Sequence, residues 1–189
     1  MNSSVRTFIA IKIIPEKKLL EVLAHIRAEC SDEAIKWVKP DNLHITLKFL
    51  GDTSAKQVEK IKKQLETIVE NFKPFQGVLK GVGYFKTKSQ PRILFANIYD
   101  AEQLNEIVEG IESKISTLGF AAEQRSFKPH LTLARIKFLK NRKAFYHLID
   151  NYYNAEFQVV PVTELIFFQS KLNSDGPEYQ PLQIAKFKG

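Results

Sequence analysis

The segments HITL at His44–Leu47 and HLTL at His130–Leu133 are nearly identical, although they lie far apart in the chain. In a β-strand, residues i and i+2 point to the same face. Each segment would therefore present one imidazole and one hydroxyl on one face and pack its apolar side chains on the other. The duplication predicts two similar strands that line a shared cleft.

The spacing of apolar residues along the rest of the chain predicts alternating strands and helices. Ser54 and Gln57 are typical of a capping box that starts a helix. We expect strands at Phe8–Ile14, from His44 to a stop at Gly51, at Phe75–Phe85, at Arg92–Ile98, at His130 and from Ala155 onward, with tight turns at Lys86–Gln90 and Asn173–Pro177. We expect helices over 15–29, from Ser54, over 104–118 before Gly119, and over 141–152.

The order strand, helix, histidine strand, helix, strand occurs in the first half of the chain and again, loosely, in the second. This pattern is a degenerate duplication and not an array of short repeats. No Pro/Gly/Ser-rich linker separates the halves. We therefore predict that residues 1–189 form a single α+β domain of two similar lobes with pseudo-two-fold symmetry. The cleft would lie where the two histidine strands face each other.

Composition limits the class of protein. Hydrophobic residues make up 44% and charged residues 26% of the chain, as in globular proteins. Cys30 is the only cysteine, which excludes an internal disulfide and a cysteine-based zinc site. Met1–Ile14 lacks the features of a secretory signal, and no apolar run has the length of a membrane span. We expect a cytoplasmic protein with no membrane partner. The net charge of +7 favours an anionic partner such as nucleic acid, although lysines also simply solvate surfaces.

The paired motifs carry side chains suited to acid–base chemistry on a phosphate. Imidazole titrates near neutrality, so His44 and His130 can act as base and acid in one reaction. The hydroxyls of Thr46 and Thr132 can donate to phosphate oxygens. A metal site is the competing explanation, but no cysteine or carboxylate stands at a ligand-like spacing, and Asp41, the carboxylate closest to His44, precedes the strand. We therefore predict no metal and no cofactor.

The other two histidines differ from this pair. His25 and His147 lie in predicted helices, where we expect them on the surface without a function.

Both motifs resemble those of a known superfamily. The segment WVKPDNLHITLKFLG at Trp37–Gly51 and the segment FKPHLTLAR at Phe127–Arg135 are similar to the two motifs of the two-histidine (2H) phosphoesterases. Within them the chain most resembles the RNA 2′,3′-cyclic phosphodiesterases, formerly described as 2′-5′ RNA ligases. Further similar segments are Arg6–Ala10, Pro91–Ala96, and Phe168–Leu172 followed by Gly176, Pro177 and Tyr179.

The resemblance implies a bilobal fold of two antiparallel or mixed sheets flanked by helices, with a basic central cleft. It also implies metal-independent opening of a terminal RNA 2′,3′-cyclic phosphate to a 2′-phosphate. We expect this chain to act as a monomer. His44 would be the proton donor and His130 the proton acceptor, although near-symmetric motifs leave the reverse assignment open. Thr46, Thr132 and Arg135 would hold the phosphate. Alternatives are 2′-5′ RNA ligase or 2′,5′-phosphodiesterase activity, and a non-catalytic module that binds RNA ends.

Strand parity gives three expectations for residues that follow the motifs. Arg135 is five residues from His130, so it reaches the phosphate only if the strand twists, bulges or ends near Ala134. Lys48 has the parity of His44, which makes it either an RNA contact or a solvated lysine at the cleft rim. Phe49 has the parity of the core residues, and we expect it in the core.

Overall fold

The computed structural model describes residues 4–174 and 176–188. The strands in these ranges are β1 (Ser4–Lys12), β2 (Ala34–Trp37), β3 (His44–Ser54), β4 (Phe75–Thr87), β5 (Gln90–Tyr99), β6 (His130–Phe138), β7 (Glu156–Val162), β8 (Glu164–Asn173) and β9 (Gly176–Lys186). The helices are α1 (Lys17–Glu29), α2 (Ala55–Val69), α3 (Gln103–Ser116) and α4 (Arg142–Asp150), with a 3₁₀ turn at Pro40–Asn42.

The strands form two sheets, and every strand pair is antiparallel. The four-stranded His44 sheet has the order β3-β1-β8-β9, and the five-stranded His130 sheet has the order β2-β6-β5-β4-β7. The prediction of a two-lobed α+β fold is confirmed. The lobes are not sequence halves, however, because the C-terminal hairpin β8–β9 extends the sheet of β1, while β2 extends the sheet of β6.

The helices cover the sheets with the apolar faces that their spacing predicts. Helices α2 and α3 pack against the His44 sheet, and α1 and α4 pack against the His130 sheet. The predicted capping box begins α2: the Gln57 amide donates to Ser54 Oγ over 3.4 Å, and the Ser54 amide donates to Gln57 Oε1 over 3.1 Å. Among the described residues, no helix combines the length and the apolar character that crossing a membrane requires.

Several predicted boundaries are wrong, and Gly51 shows the reason most clearly. The strand that begins at His44 does not stop at Gly51 but continues to Ser54, because β1 pairs with it throughout. Gly51 instead adopts a φ of +72°, next to a register shift in that pairing. Glycine adopts this backbone conformation without the steric clash that a Cβ atom would cause. The short edge strand β2 was not predicted. The predicted turn at Asn173–Pro177 includes residue 175, which lies outside the described residues.

Most buried apolar side chains belong to one core, which contains residues of both sheets and all four helices named above. A smaller cluster of Phe8, Ala10, Ile166 and Phe168, flanked by Tyr179, lies on the opposite face of the His44 sheet. This second cluster matters for function because it adjoins the ring of His44.

Candidate active site

The two motifs begin β3 of the His44 sheet and β6 of the His130 sheet. These two strands contact each other where the sheets meet. The first six residues of β3, His44–Phe49, have the same sequence of buried, half-buried and exposed side chains as the first six residues of β6, His130–Arg135. His44, Thr46, His130 and Thr132 are half-buried, whereas Ile45 and Leu131 are fully buried. The predicted separation of polar and apolar faces is therefore confirmed, and both polar faces line one cleft.

Each histidine strand contains a β-bulge one residue after its threonine. In β3, Thr46 lies opposite Ala10 and Lys48 lies opposite Ile9, so Leu47 is the extra residue. In β6, Thr132 lies opposite Phe95 and Ala134 opposite Leu94, so Leu133 is the extra residue. A bulge inserts one residue and so reverses which face the following side chains occupy.

Arg135 lies on the cleft side of β6 because of this bulge. The bulge is one of the irregularities near Ala134 that strand parity required for Arg135 to reach the phosphate. Its side chain is exposed, whereas Ala134 before it is buried. Its positive charge lowers the pKa of both His44 and His130, so its guanidinium acts on both imidazoles. The fold therefore brings the permanently charged guanidinium of Arg135 to the cleft that holds the two histidines.

Lys48 does not lie in the cleft, and both expectations for it were wrong. Its side chain is only 5% exposed, and Nζ lies 2.6 Å from Glu112 Oε1 on α3. Nζ also donates to the Ala121 carbonyl oxygen over 3.2 Å. The bulge at Leu47 turned this residue to the core face. Lys48 therefore ties β3 to α3 and to the connection that leads from α3 to β6.

Phe49 also differs from its expected position, but it moves from the core face to the cleft face. It was expected in the core, but its side chain is 69% exposed, with its ring 6.0 Å from that of Phe8. The same bulge placed it on the face of His44 and Thr46. Phe49 thus occupies the position in the first motif that Arg135 occupies in the second.

The two imidazoles are oriented by equivalent hydrogen bonds. His44 Nδ1 lies 2.6 Å from the Asn42 carbonyl oxygen, and His130 Nδ1 lies 2.6 Å from the Lys128 carbonyl oxygen. A carbonyl oxygen can only accept, so Nδ1 donates in both cases. In the neutral rings, Nε2 is then the unprotonated nitrogen that can accept a proton.

Aromatic rings enclose both histidines in a similar way. The His44 ring lies 5.0 Å from Phe8 and 5.1 Å, edge-on, from Tyr179. The His130 ring lies 4.9 Å from Phe85 and 5.5 Å from Phe95.

These aromatic residues were not identified as site residues from the sequence, because their contacts cross strands. Phe8, Phe95 and Tyr179 had an indirect signal, because each lies in a segment that resembles the family, whereas Phe85 had none. Gly83 shows how closely the rings pack, since a Cβ atom there would lie 2.8 Å from the Phe95 ring.

Burial is the main influence on the protonation of both histidines. It lowers the pKa of His44 and of His130, because the charged ring loses hydration. The carbonyl hydrogen bonds act in the opposite direction, and the charge of Arg135 lowers both values further. Burial also raises the pKa of Tyr179, which Arg135 partly offsets.

The remaining titratable candidates do not join this cleft. His25 and His147 are exposed, as predicted, and His25 Nδ1 lies 2.7 Å from the Tyr152 hydroxyl. In residues 4–174 and 176–188, no three His, Cys, Asp or Glu side chains come together as a metal site.

The cleft therefore combines two imidazoles, two hydroxyls and one guanidinium. In the described part of the chain, the Thr46 and Thr132 hydroxyls form no hydrogen bond with another residue, so both can donate to a ligand. Such a set can bind a tetrahedral oxyanion and exchange protons with two of its substituents.

Comparison with protein families and relatives agrees with this geometry. The profile of the family described as LigT like phosphoesterase matches residues 11–95 and 99–179. A Methanocaldococcus jannaschii protein named RNA 2′,3′-cyclic phosphodiesterase is 34% identical, over 94% of this chain and 98% of its own length. A Thermotoga maritima protein of the same name is 30% identical, over 97% of this chain and 96% of its own length.

Solved structures share the whole fold. A crystal structure of a Thermus thermophilus protein superposes with a TM-score of 0.79 at 26% identity, covering 97% of this chain and 98% of that one. Escherichia coli LigT, crystallised with 3′-AMP, superposes with a TM-score of 0.71 at 23% identity, covering 99% of this chain and 100% of that one.

Proposed function

This chain belongs to the LigT-like phosphoesterase family, and we propose that it hydrolyses the 2′,3′-cyclic phosphate at the end of an RNA to a 2′-phosphate. The observation that carries the proposal is the pair of equivalently anchored imidazoles in one cleft with two free hydroxyls and Arg135. The relatives named RNA 2′,3′-cyclic phosphodiesterase, which align along nearly the whole chain, support the choice of substrate.

Phosphate binding falls to the side chains that carry no acid–base role. The Thr46 and Thr132 hydroxyls donate to the non-bridging oxygens and hold the phosphorus between the two rings. Arg135 neutralises the negative charge that grows on those oxygens as water attacks. No residue of this set needs a metal to bind the phosphate, so we propose a metal-independent reaction.

The two histidines move protons on opposite sides of the phosphorus. His130 Nε2 takes a proton from water, whose oxygen forms the new bond to phosphorus. The bond from phosphorus to the 3′ oxygen breaks, and His44 Nε2 gives its proton to that oxygen. Exchange with solvent then restores both rings, so the net change is the addition of one water molecule. Assigning the acid role to His44 is part of the proposal.

We also propose that the chain acts as one domain and as a monomer. A single apolar core contains residues of both sheets, which supports one domain. The net charge of +7 favours the approach of an RNA end.

Turnover of a nucleoside 2′,3′-cyclic phosphate in the presence of EDTA tests the activity directly. We expect turnover that EDTA does not reduce, and phosphorus NMR should identify a 2′-phosphate product. EDTA-sensitive turnover would contradict the metal-independent mechanism. Binding of cyclic-phosphate RNA without any turnover would instead identify a module that binds RNA ends.

The pH dependence of kcat/KM follows from the two histidines. We expect a bell-shaped profile, because one ring must be protonated while the other is neutral. Burial and Arg135 lower the pKa of both rings, so each loses its proton at a lower pH than an ordinary histidine. The pH optimum should therefore lie below 6.5, the usual pKa of histidine. The two apparent pKa values of the profile describe the two histidines together and cannot be assigned to one ring each. A rate that rises steadily into alkaline solution would exclude an acid histidine.

Replacing Phe49 by alanine tests whether the exposed ring contacts the substrate. A nucleobase can stack on it beside the phosphate, and such stacking contributes about 1–3 kcal/mol per base. We expect Phe49→Ala to raise KM for a cyclic-phosphate substrate about tenfold or more, with a smaller effect on kcat. Phe138→Ala is the matched control, because that ring is 63% exposed at the far end of β6. Equal KM values for the two variants would show that Phe49 does not bind the base.

A further inference from the structure

A cavity of about 220 Å³ opens next to His44 on the face of the His44 sheet that carries the smaller apolar cluster. Its floor consists of Ile166, Phe168 and Ile184, and the ring of Tyr179 lies beside them. Ile184 is 49% exposed, so this apolar surface is open to a ligand. The mechanism proposed above uses none of these floor residues.

The cavity has a wall that is built by a specific contact. Asn42 Nδ2 donates to the Pro177 carbonyl oxygen over 2.8 Å, which joins the 3₁₀ turn at Pro40–Asn42 to the start of β9. The same Asn42 supplies the carbonyl oxygen that accepts from His44 Nδ1. The wall of the cavity and the orientation of His44 therefore depend on one short turn.

Three charged side chains also line the cavity. Lys12, Asp41 and Glu164 border the cavity. Glu164 is half-buried, and within the described ranges its carboxylate has neither an ion-pair nor a hydrogen-bond partner. A half-buried carboxylate of this kind is suited to accept hydrogen bonds from an amino group of a ligand. Lys12 supplies a positive charge to the same lining.

An apolar floor with charged side chains in the lining fits one nucleobase. Apolar and aromatic side chains contact the flat faces of a base, and a carboxylate accepts from an exocyclic amine such as N4 of cytosine. The Lys12 ammonium can bind a phosphodiester at the entrance. The cavity is smaller than the sites that hold drug-sized ligands, which agrees with one base and no more.

The position of Phe49 indicates which base of the substrate enters the cavity. Phe49 and Arg135 occupy equivalent places after the two bulges, so the Phe49 ring lies next to the phosphate site and suits the terminal base. We propose that the cavity is a second subsite, which binds the base of the nucleotide that precedes the cyclic-phosphate end and favours a base with an amino group. This inference rests on the proposed function.

Three substrates test the subsite: adenosine 2′,3′-cyclic phosphate, and the dinucleotides CpA and UpA with the same cyclic end. For the wild-type chain, we expect kcat/KM of the CpA substrate to exceed that of the mononucleotide about tenfold, the value of one stacked base. It should also exceed that of the UpA substrate, because uracil offers no exocyclic amine to Glu164.

Two variants locate the effect in the cavity. Ile184→Phe fills the floor and should bring the dinucleotide-to-mononucleotide ratio of kcat/KM close to one. Val159→Phe is the matched control, because Val159 is 44% exposed in β7 of the other sheet, and it should keep the wild-type ratio. Glu164→Gln should abolish the preference for CpA over UpA, and it tests the subsite independently if Ile184→Phe does not fold.

The outcomes separate the two proposals. A wild-type chain that turns over all three substrates equally well overturns the subsite and leaves the proposed function intact. A dinucleotide advantage that persists in Ile184→Phe also overturns it. A wild-type chain that turns over none of them overturns the proposed function, and the subsite falls with it.

Discussion

Replacing either His44 or His130 by alanine is expected to lower kcat on a nucleoside 2′,3′-cyclic phosphate by about 10²–10⁴-fold, the usual contribution of one positioned acid or base. Each ring is oriented by a backbone carbonyl at Nδ1, and alanine removes the Nε2 to which the proposed mechanism assigns a proton transfer. Both variants should fold, because both side chains are only half-buried. Initial rates and circular dichroism spectra measure the two effects.

The matched control is His25→Ala, which removes an exposed histidine outside the cleft. It should keep the wild-type rate. Full activity in either His44→Ala or His130→Ala would show that the reaction does not need two histidines. The double variant should be little slower than the slower single variant, because the two rings act as one unit.

Replacing Glu112 by glutamine is expected to destabilise the fold by about 3 kcal/mol, because it leaves a buried ammonium without its counter-charge. The Lys48 side chain is 3% exposed and that of Glu112 is 23% exposed, so water can replace little of the lost interaction. Urea unfolding measures the free energy, and the melting temperature should fall by about 10 °C for a chain of this size.

Two further variants separate loss of the ion pair from loss of packing. Lys48→Met combined with Glu112→Met removes both charges, and it should recover much of the stability that Glu112→Gln loses. Lys62→Met breaks the more exposed pair with Glu59 and should change the melting temperature little. If the double methionine variant were less stable than Glu112→Gln, the buried charge would not be the cause.

Local patterns in the sequence were sufficient to predict the helices and the shared face of the motif residues. The capping box at Ser54 and Gln57 and the apolar faces of the helices depend on residues three or four apart, which a single segment contains. The shared face of His44 and Thr46 likewise depends only on strand alternation. These features could be predicted because each is decided within a few residues.

The residues beyond each threonine could not be assigned in this way. Whether a strand bulges depends on its partner, and Leu47 and Leu133 became extra residues only when β1 and β5 paired beside them. Simple alternation therefore misplaced Lys48 and Phe49, and it left Arg135 dependent on an irregularity that the sequence does not show.

The sequence by itself determined the two-lobed α+β fold and the four polar side chains of the paired motifs, because periodicity and duplication are local properties. Tertiary structure alone decided that Arg135 and Phe49 face the cleft, that Lys48 is buried against Glu112, and that Tyr179 encloses His44. The physical reason is that register and aromatic contacts arise between strands that are distant in the chain.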